Sequence, residues 1–180
     1  MRFTATRRRA LTATAALALG GLVVTSTTVA AIDDAGTAPR VVAIASESSP
    51  GLCMRVPNTA PGTRVVVRNC ATAVPNEAAS AFAWADGQLR PVPRLAESHT
   101  DVCVTGGLQD LSNLTLEPCT GAPGQVWTYD RSTRQLRNGR EKCADPYLAI
   151  RDDRGLFAAT CSTHHLQRWT VTDVKVLHSP

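Results

Sequence analysis

The chain is poor in aromatic residues and lacks the common patterns that carry catalysis or metal binding. Only 4% of its 180 residues are aromatic. It contains no Cys-x-x-Cys pair, which would suit a zinc site, and no Gly-x-Ser-x-Gly, which would present a serine nucleophile. The four histidines and the scattered carboxylates form no recognisable set of nucleophile, base and orienting group. We therefore expect no enzymatic activity and no cofactor.

The adjacent histidines His164 and His165 could in principle bind a metal ion, whereas His99 and His178 stand apart in the sequence. Adjacent residues of a strand point to opposite faces, so on a strand these two rings would rarely bind one ion. We therefore expect no metal site.

A hydrophobic run long enough to cross a bilayer is also missing. The most apolar run, residues 10–24, has about 15 residues, whereas a spanning helix needs about 20. Four arginines precede this run, and the small residues Val29-Ala30-Ala31 follow it. This order is typical of a secretory signal peptide, so we predict that residues 1–31 are removed and that the protein is secreted and extracellular. Both the general and the twin-arginine export routes stay open.

An excess of positive charge is missing once this leader is set aside. The chain carries a formal net charge of +4, and the four ionisable side chains of the leader are all arginines, Arg2, Arg7, Arg8 and Arg9. The remaining chain is therefore formally neutral. A nucleic acid or acidic membrane partner would require a basic surface, so we expect neither.

What the chain does contain is one cassette that occurs three times: a cysteine, 15 to 17 residues, a second cysteine and then a tryptophan. The copies are Cys53, Cys70 and Trp84; Cys103, Cys119 and Trp127; and Cys143, Cys161 and Trp169. Successive tryptophans lie 43 and 42 residues apart. The repeat therefore organises the whole chain beyond the leader.

The six cysteines indicate disulfides, because an exported chain reaches an oxidising compartment. Six cysteines allow 15 pairings in general, and the repeat selects the one that joins the two cysteines of each copy. Each disulfide then closes a loop of about 17 residues and stabilises the fold by roughly 3 kcal/mol in the chain-entropy model.

Short apolar strands separated by polar turns follow each first cysteine. In the second copy Leu114 and Leu116 lie on one face and Thr115 on the other; in the third copy we predict a strand at Tyr147–Ile150 and a turn at Asp152–Gly155. No window shows an apolar stripe at helical spacing. The sequence therefore predicts an all-β domain of three copies that share one core, and a closed threefold arrangement would leave no exposed sheet edge.

The motifs Phe82-Ala83-Trp84, Gln125-Val126-Trp127 and Gln167-Arg168-Trp169, in register with the paired cysteines, resemble the ricin B-type lectin domain, a β-trefoil. The resemblance covers residues 39–177, with residues 32–38 as a short polar lead-in. It implies that Trp84, Trp127 and Trp169 are structural, that Gln125 and Gln167 hydrogen-bond local backbone, and that Phe82 packs instead. In the first copy 13 residues separate Cys70 from Trp84, against 7 in the others, which indicates a loop insertion at Val74–Ser80.

The resemblance also locates the positions that hold sugar in the family: an Asp two residues after the first cysteine, an aromatic two before the second, and an Asn three before the tryptophan. In this chain they are Arg55, Arg68 and Ala81; Thr105, Glu117 and Gly124; and Asp145, Ala159 and Leu166. Only Asp145 matches. The first two pockets are therefore degenerate.

A third-copy site could combine Asp145 with Tyr147, His164 and His165, since carboxylates bind sugar hydroxyls and rings stack on sugar faces. In the alternative interpretation Asp145 starts a turn before Pro146, and the histidines are solvated. We predict a monomeric, non-catalytic binder of carbohydrate, of galactose type or a polysaccharide. The competing hypothesis is a trefoil that has lost sugar binding and binds protein through loops such as Val74–Ser80 and Ser98–Asp101.

Overall fold

A computed structural model describes residues 32–33, 40–71, 81–92, 101–147 and 152–174. The predicted signal peptide, most of the lead-in, the Val74–Ser80 loop and residues 98–100 lie outside the described residues. The described part consists of strands and two short 3-10 turns, at Pro123–Gln125 and His165–Gln167. The strands are β1 Ile32–Asp33, β2 Arg40–Ser46, β3 Leu52–Arg55, β4 Val66–Asn69, β5 Phe82–Ala85, β6 Gln88–Pro91, β7 Val102–Thr105, β8 Ser112–Asn113, β9 Thr115–Pro118, β10 Trp127–Asp130, β11 Gln135–Asn138, β12 Lys142–Asp145, β13 Arg154–Gly155, β14 Phe157–Thr160 and β15 Trp169–Asp173.

The three copies meet in a closed ring of three backbone hydrogen bonds. The N–H of Val65 donates to the carbonyl of Leu114 (2.9 Å), Leu114 donates to Leu156 (2.8 Å), and Leu156 donates back to Val65 (2.9 Å). All three residues are fully buried. Each stands directly before the strand that leads to the second cysteine of its copy, namely β4, β9 and β14. The sequence repeat is therefore also a structural repeat with approximate threefold symmetry.

The disulfides join the two cysteines within each copy, as the repeat predicts. They are Cys53–Cys70, Cys103–Cys119 and Cys143–Cys161, and their Cα atoms lie 5.0, 5.1 and 5.0 Å apart. No cysteine is left free. In each copy the disulfide ties the strand at the first cysteine to the end of its antiparallel partner.

The predicted closed ring of strands is only partly formed by continuous pairing. The last strand, β15, pairs with β2 over five residues and joins the third copy to the first. In the described part the strands form sheets of six, seven and two strands, and the sheet of seven includes both β2 and β15. Single bridges such as Arg64 to Thr115 and Gln88 to Val126 also link neighbouring copies. Most of these strands have four residues or fewer, and strands of different copies pair over only one or two residues in β11–β12, β13–β4 and β14–β8.

The tryptophans of the repeat lie in the common core. Trp127 and Trp169 are 1% and 0% exposed, and their indole N–H groups donate to the carbonyls of Val104 (2.8 Å) and Ala144 (3.0 Å). Trp84 is also buried, and the guanidinium of Arg40 lies 5.1 Å from its ring centre. A buried indole needs a partner for its N–H group, and in the second and third copies the residue after the first cysteine supplies it.

Candidate functional site

The motif glutamines form the same contacts in the second and third copies. The side-chain carbonyl of Gln125 accepts from the N–H of Thr120, and that of Gln167 accepts from the N–H of Ser162, both at 2.8 Å. Each amide group also donates to the backbone carbonyl seven residues earlier, at 2.8 and 3.0 Å. Both side chains are 2% exposed. Each glutamine thereby fixes the loop between the second cysteine and the tryptophan of its copy.

Each of these glutamines also donates a hydrogen bond to the residue that lies two positions after the first cysteine of its copy. Nε2 of Gln125 donates to Oγ1 of Thr105 (3.1 Å), and Nε2 of Gln167 donates to Oδ2 of Asp145 (2.8 Å). In the first copy Phe82 stands in the glutamine's place and is fully buried. The equivalent of Asp145 there is Arg55, which is 1% exposed and donates to the carbonyl of Cys70 (3.0 Å).

In the first two copies, the residues at the family's other sugar-binding positions either bond within the protein or leave no room for a side chain. Arg68 forms an ion pair with Asp153 at 2.7 Å. Glu117 accepts a hydrogen bond from the hydroxyl of Thr115 (3.0 Å). A Cβ at Gly124 would lie 2.3 Å from a backbone carbonyl oxygen, so no side chain fits at that position.

In the third copy Asp145 ends β12 and is 8% exposed. Its Oδ1 accepts from the N–H of Tyr147 (2.7 Å), and its Oδ2 accepts from Gln167. An ionised carboxylate has about four lone-pair sites. Two are therefore occupied by protein donors, and about two are left for the hydroxyl groups of a ligand.

Tyr147 lies in a turn, so the predicted strand does not begin at this residue; the three residues that follow lie outside the described part. Its φ is +42°, and the guanidinium of Arg154 donates to the carbonyls of Pro146 (3.1 Å) and Tyr147 (3.0 Å). These bonds and the one from its N–H to Asp145 use the backbone groups that a strand would pair. The ring is 38% exposed and packs edge-on against Phe157 at 6.0 Å.

The two histidines do not lie on a strand, so the strand geometry that argued against a shared metal ion does not apply to them. His165 begins a 3-10 turn, and Nδ1 of His164 accepts from the N–H of Leu166 (3.4 Å). The rings of His164 and His165 lie 4.4 Å apart at an angle of 31°. Among the described residues no group of three His, Cys, Asp or Glu side chains could hold a metal ion.

Three of the four predicted site residues, Asp145, Tyr147 and His164, line one open cleft of about 460 Å³, here called the Asp145 cleft. His165 lines a neighbouring cleft together with Glu47 and the serines that follow it. The volume of the Asp145 cleft lies in the range of small-ligand sites, about 300–1,000 Å³. Its other lining residues are Asp110, Leu111, Ala159, Thr160, Ser162, Leu166 and Gln167.

Asp110 is a residue of this cleft that sequence reasoning missed. It belongs to the second copy, and its Oδ1 accepts from the hydroxyl (2.9 Å) and the N–H of Thr160 and from Nζ of Lys142 (3.2 Å). The bonds from Thr160, followed by that from Lys142, lower the pKa of Asp110. The sequence repeat gives no sign of this aspartate, because its contact with the third copy depends on the pairing of β8 with β14.

Comparison with solved structures identifies proteins of the same fold. A mosquitocidal holotoxin superposes with a TM-score of 0.61 at 12% identity over 77% of this chain, which spans only 18% of the toxin's length. The β-trefoil lectin of the Vibrio vulnificus hemolysin/cytolysin, solved with N-acetyl-D-lactosamine bound, gives a TM-score of 0.57 at 22% identity over 78% of this chain and 98% of its own.

A third similar structure is the non-toxic homologue of type II RIPs from Momordica charantia (bitter gourd), in complex with α-methyl-D-galactoside. Its TM-score is 0.56 at 18% identity over 74% of this chain and 48% of its own. Identities this low show a shared fold, and the chain is accordingly a β-trefoil. No curated protein matches the chain by sequence.

The part of the chain that the structure describes contains no helix that could span a membrane.

The sequence model of the family described as the ricin-type beta-trefoil lectin domain matches residues 40–169, which is most of the chain. The fold, the threefold repeat and this match together show that the chain belongs to the ricin-type β-trefoil lectin family.

Proposed function

We propose that this chain is an exported, non-catalytic carbohydrate-binding domain whose sugar site is the Asp145 cleft. The observation that carries the proposal is the meeting of the Asp145 carboxylate, the half-exposed Tyr147 ring and the exposed His164 imidazole in one cleft. The carboxylate would accept hydrogen bonds from two neighbouring hydroxyls, and the ring would stack on the apolar face of the sugar.

A sugar of galactose type is the ligand that we propose first. The Vibrio vulnificus lectin was solved with N-acetyl-D-lactosamine, and the bitter gourd protein with α-methyl-D-galactoside. The cleft is open and offers a ligand few contacts, namely about two lone-pair sites of one carboxylate and the face of one ring. Binding to a single sugar unit would therefore be weak. A dissociation constant near 1 mM corresponds to about −4 kcal/mol, which a few such contacts can supply.

We propose that the first two copies have no sugar site. Arg55 is buried and bonded to the carbonyl of Cys70, and Arg68 is paired with Asp153. In the second copy Thr105 already donates to the carbonyl of Cys103 at 3.0 Å and accepts from Gln125, so few lone pairs remain for a ligand. One site in a monomer would bind sugar without cross-linking cells.

Export is proposed from the leader and agrees with the three disulfides, which form and persist in oxidising compartments. Sequencing the amino terminus of protein recovered from the culture medium would test it. A mature chain that starts at Ala31 or Ile32 is expected. Retention of the arginine-rich leader on a cell-associated protein would contradict it.

The sugar site is tested by a glycan array followed by calorimetric titration with N-acetyllactosamine and galactose. We expect millimolar or tighter binding to galactose-type glycans. Tyr147→Ala should weaken it about tenfold or more through loss of the stacking ring, whereas the control Tyr147→Phe keeps the ring and should bind almost as the wild type does. No binding to any glycan at millimolar sugar would refute the proposal.

The competing function is a trefoil that binds protein and no sugar. The observation in its favour is that both oxygens of Asp145 already accept bonds from the protein, much as Oγ1 of Thr105 does in the second copy. In that case Asp145 only holds Gln167 and the turn at Tyr147. Glycan binding that is absent, together with a protein captured from the natural surroundings and released by mutation of the loop at Val74–Ser80, would favour this function.

A further inference from the structure

A second cleft of about 440 Å³ lies between the β10–β11 hairpin and the loop after Cys161, and it is lined by three arginines, Arg134, Arg137 and Arg168. The other lining groups are polar or neutral and include the hydroxyls of Ser132, Thr133, Ser162 and Thr163. No aspartate or glutamate is among the residues that line it. This region is called the arginine cleft below.

The arginine cleft keeps positive charge available for a ligand. Arg137 pairs with Glu141 at 3.0 Å and Arg134 pairs with Glu47, but both partners lie outside the lining, and Arg137 and Arg134 are 40% and 56% exposed. Exposed ion pairs of this kind stabilise by at most about 1 kcal/mol, so an anion can compete for the guanidinium groups. Arg168 is exposed and forms no ion pair within the described part of the chain.

The carboxylate of the β10–β11 hairpin, that of Asp130, closes the turn between the two strands. Oδ1 of Asp130 accepts from the N–H (2.8 Å) and hydroxyl (2.6 Å) of Ser132 and from the N–H of Thr133 (3.2 Å). These bonds close the turn and use its backbone donors. A ligand in the arginine cleft would therefore be held by the guanidinium groups and by the hydroxyls of Thr133, Ser162 and Thr163.

This donor set fits an oxyanion. Guanidinium groups present paired N–H donors that match sulfate and carboxylate oxygens, and hydroxyls complete the coordination. The arginine cleft and the Asp145 cleft share Ser162 in their linings, so the two form neighbouring parts of one surface. A chain of sugars that passes through one cleft can reach the other.

We propose that the arginine cleft binds the sulfate or carboxylate group of an acidic glycan. The recognised chemistry is an oxyanion carried on a sugar chain, next to the neutral sugar for which the Asp145 cleft is proposed. The proposal stands on its own: the anion site does not require that the Asp145 cleft binds sugar. Because the chain without its leader is formally neutral, general attraction to polyanions would not imitate a local site.

The test compares dextran sulfate, polygalacturonate and uncharged dextran by calorimetric titration of the disulfide-bonded protein. We expect binding of at least one of the two anionic polymers and none of dextran. Arg168→Gln should weaken it about fivefold or more, and Arg137→Gln should weaken it similarly, as expected for the loss of one charge-assisted hydrogen bond. Raising the salt from about 50 to 500 mM should weaken binding at least tenfold, since exposed charges are then screened within a few ångströms.

The control is Arg90→Gln, which lies outside the arginine cleft and is matched to Arg137→Gln, because each removes one exposed arginine from an ion pair; the partner of Arg90 is Asp101, at 3.1 Å. It should bind the anionic polymer as the wild type does. Arg168→Gln should bind N-acetyllactosamine as the wild type does, because Arg168 does not line the Asp145 cleft. Measuring this binding in parallel separates failure of the sugar site from failure of the anion site. Binding of neither anionic polymer, or an equal loss in Arg90→Gln and Arg168→Gln, would overturn the proposal.

Discussion

Replacing Asp145 by alanine separates the stabilising role of this carboxylate from its proposed role in sugar binding. The substitution removes the acceptor of two hydrogen bonds, one from the N–H of Tyr147 and one from Nε2 of Gln167. The matched control is Thr105→Ala. Thr105 occupies the same place in the second copy and accepts from the other motif glutamine, Gln125.

The expected loss of stability follows from the burial of the partners. Gln167 is 2% exposed, so its amide hydrogen would be left without a partner at a cost of about 1–3 kcal/mol. The N–H of Tyr147 lies in an exposed turn, where water replaces the lost acceptor, and its bond contributes about 1 kcal/mol. We expect Asp145→Ala to lower the free energy of unfolding by about 3 kcal/mol. Thr105→Ala likewise leaves an amide hydrogen of buried Gln125 without a partner, but the lost bond joins neutral groups, so we expect a cost in the lower part of this range, about 1.5 kcal/mol.

Urea unfolding followed by tryptophan fluorescence measures both values, and calorimetric titration with N-acetyllactosamine measures binding in the folded range. Asp145→Ala should remove measurable sugar binding while the protein is still folded, and Thr105→Ala should leave binding unchanged. Equal stabilities of the two variants would refute the hydrogen-bond argument. Wild-type binding by folded Asp145→Ala would refute the role of the carboxylate in the sugar site.

Three further predictions concern the fold. Trp169→Ala should lower the free energy of unfolding by about 3–5 kcal/mol in a urea titration, because it empties a fully buried site; a loss under 1 kcal/mol would contradict core packing. The double variant Cys103→Ala/Cys119→Ala should cost about 3 kcal/mol by the same measurement, and no loss would show that the loop is ordered without the bond. The hydrogen bond from the Ser132 hydroxyl, followed by those from backbone N–H groups, lowers the pKa of Asp130 to about 2 from 3.8. The stabilisation of the fold by the ionised Asp130 carboxylate is therefore complete above about pH 4 and is lost as the pH falls towards 2. Across this range the urea midpoint of Asp130→Ala should fall less than that of the wild type. Identical dependence of the two midpoints on pH would exclude a contribution of Asp130 to acid stability.

The architecture could be predicted from the sequence because its signals are local and repeated. The cysteines, the tryptophans and the alternation at Leu114, Thr115 and Leu116 occur at fixed spacing, and each copy repeats the same short-range constraints. The disulfide pairing followed from this repetition. The ring of bonds among Val65, Leu114 and Leu156 has no sequence signature, since it depends on three segments far apart in the chain that meet on one axis.

The candidate site could be predicted only in part. Asp145 was found from its place after Cys143, but Tyr147 was expected in a strand and lies in a turn. That turn is set by Arg154, whose guanidinium reaches the carbonyls of Pro146 and Tyr147 from further along the chain. Side-chain bonds of this kind compete with strand pairing for backbone groups, and alternation of apolar residues does not reveal them.

The sequence by itself determined the all-β class, the threefold repeat, the pairing of the cysteines and the family resemblance. These features could be recognised because the cysteines that form the disulfides and the tryptophans that fill the core recur at short and regular spacing along the chain. The tertiary structure decided which side chains share a surface. It placed the adjacent rings of His164 and His165 in the linings of two different clefts, added Asp110 from another copy, and gathered Arg134, Arg137 and Arg168 into a further cleft. The physical reason is that a binding surface forms where separate copies and turns pack together, and the distances between them are fixed by the fold and not by the spacing along the chain.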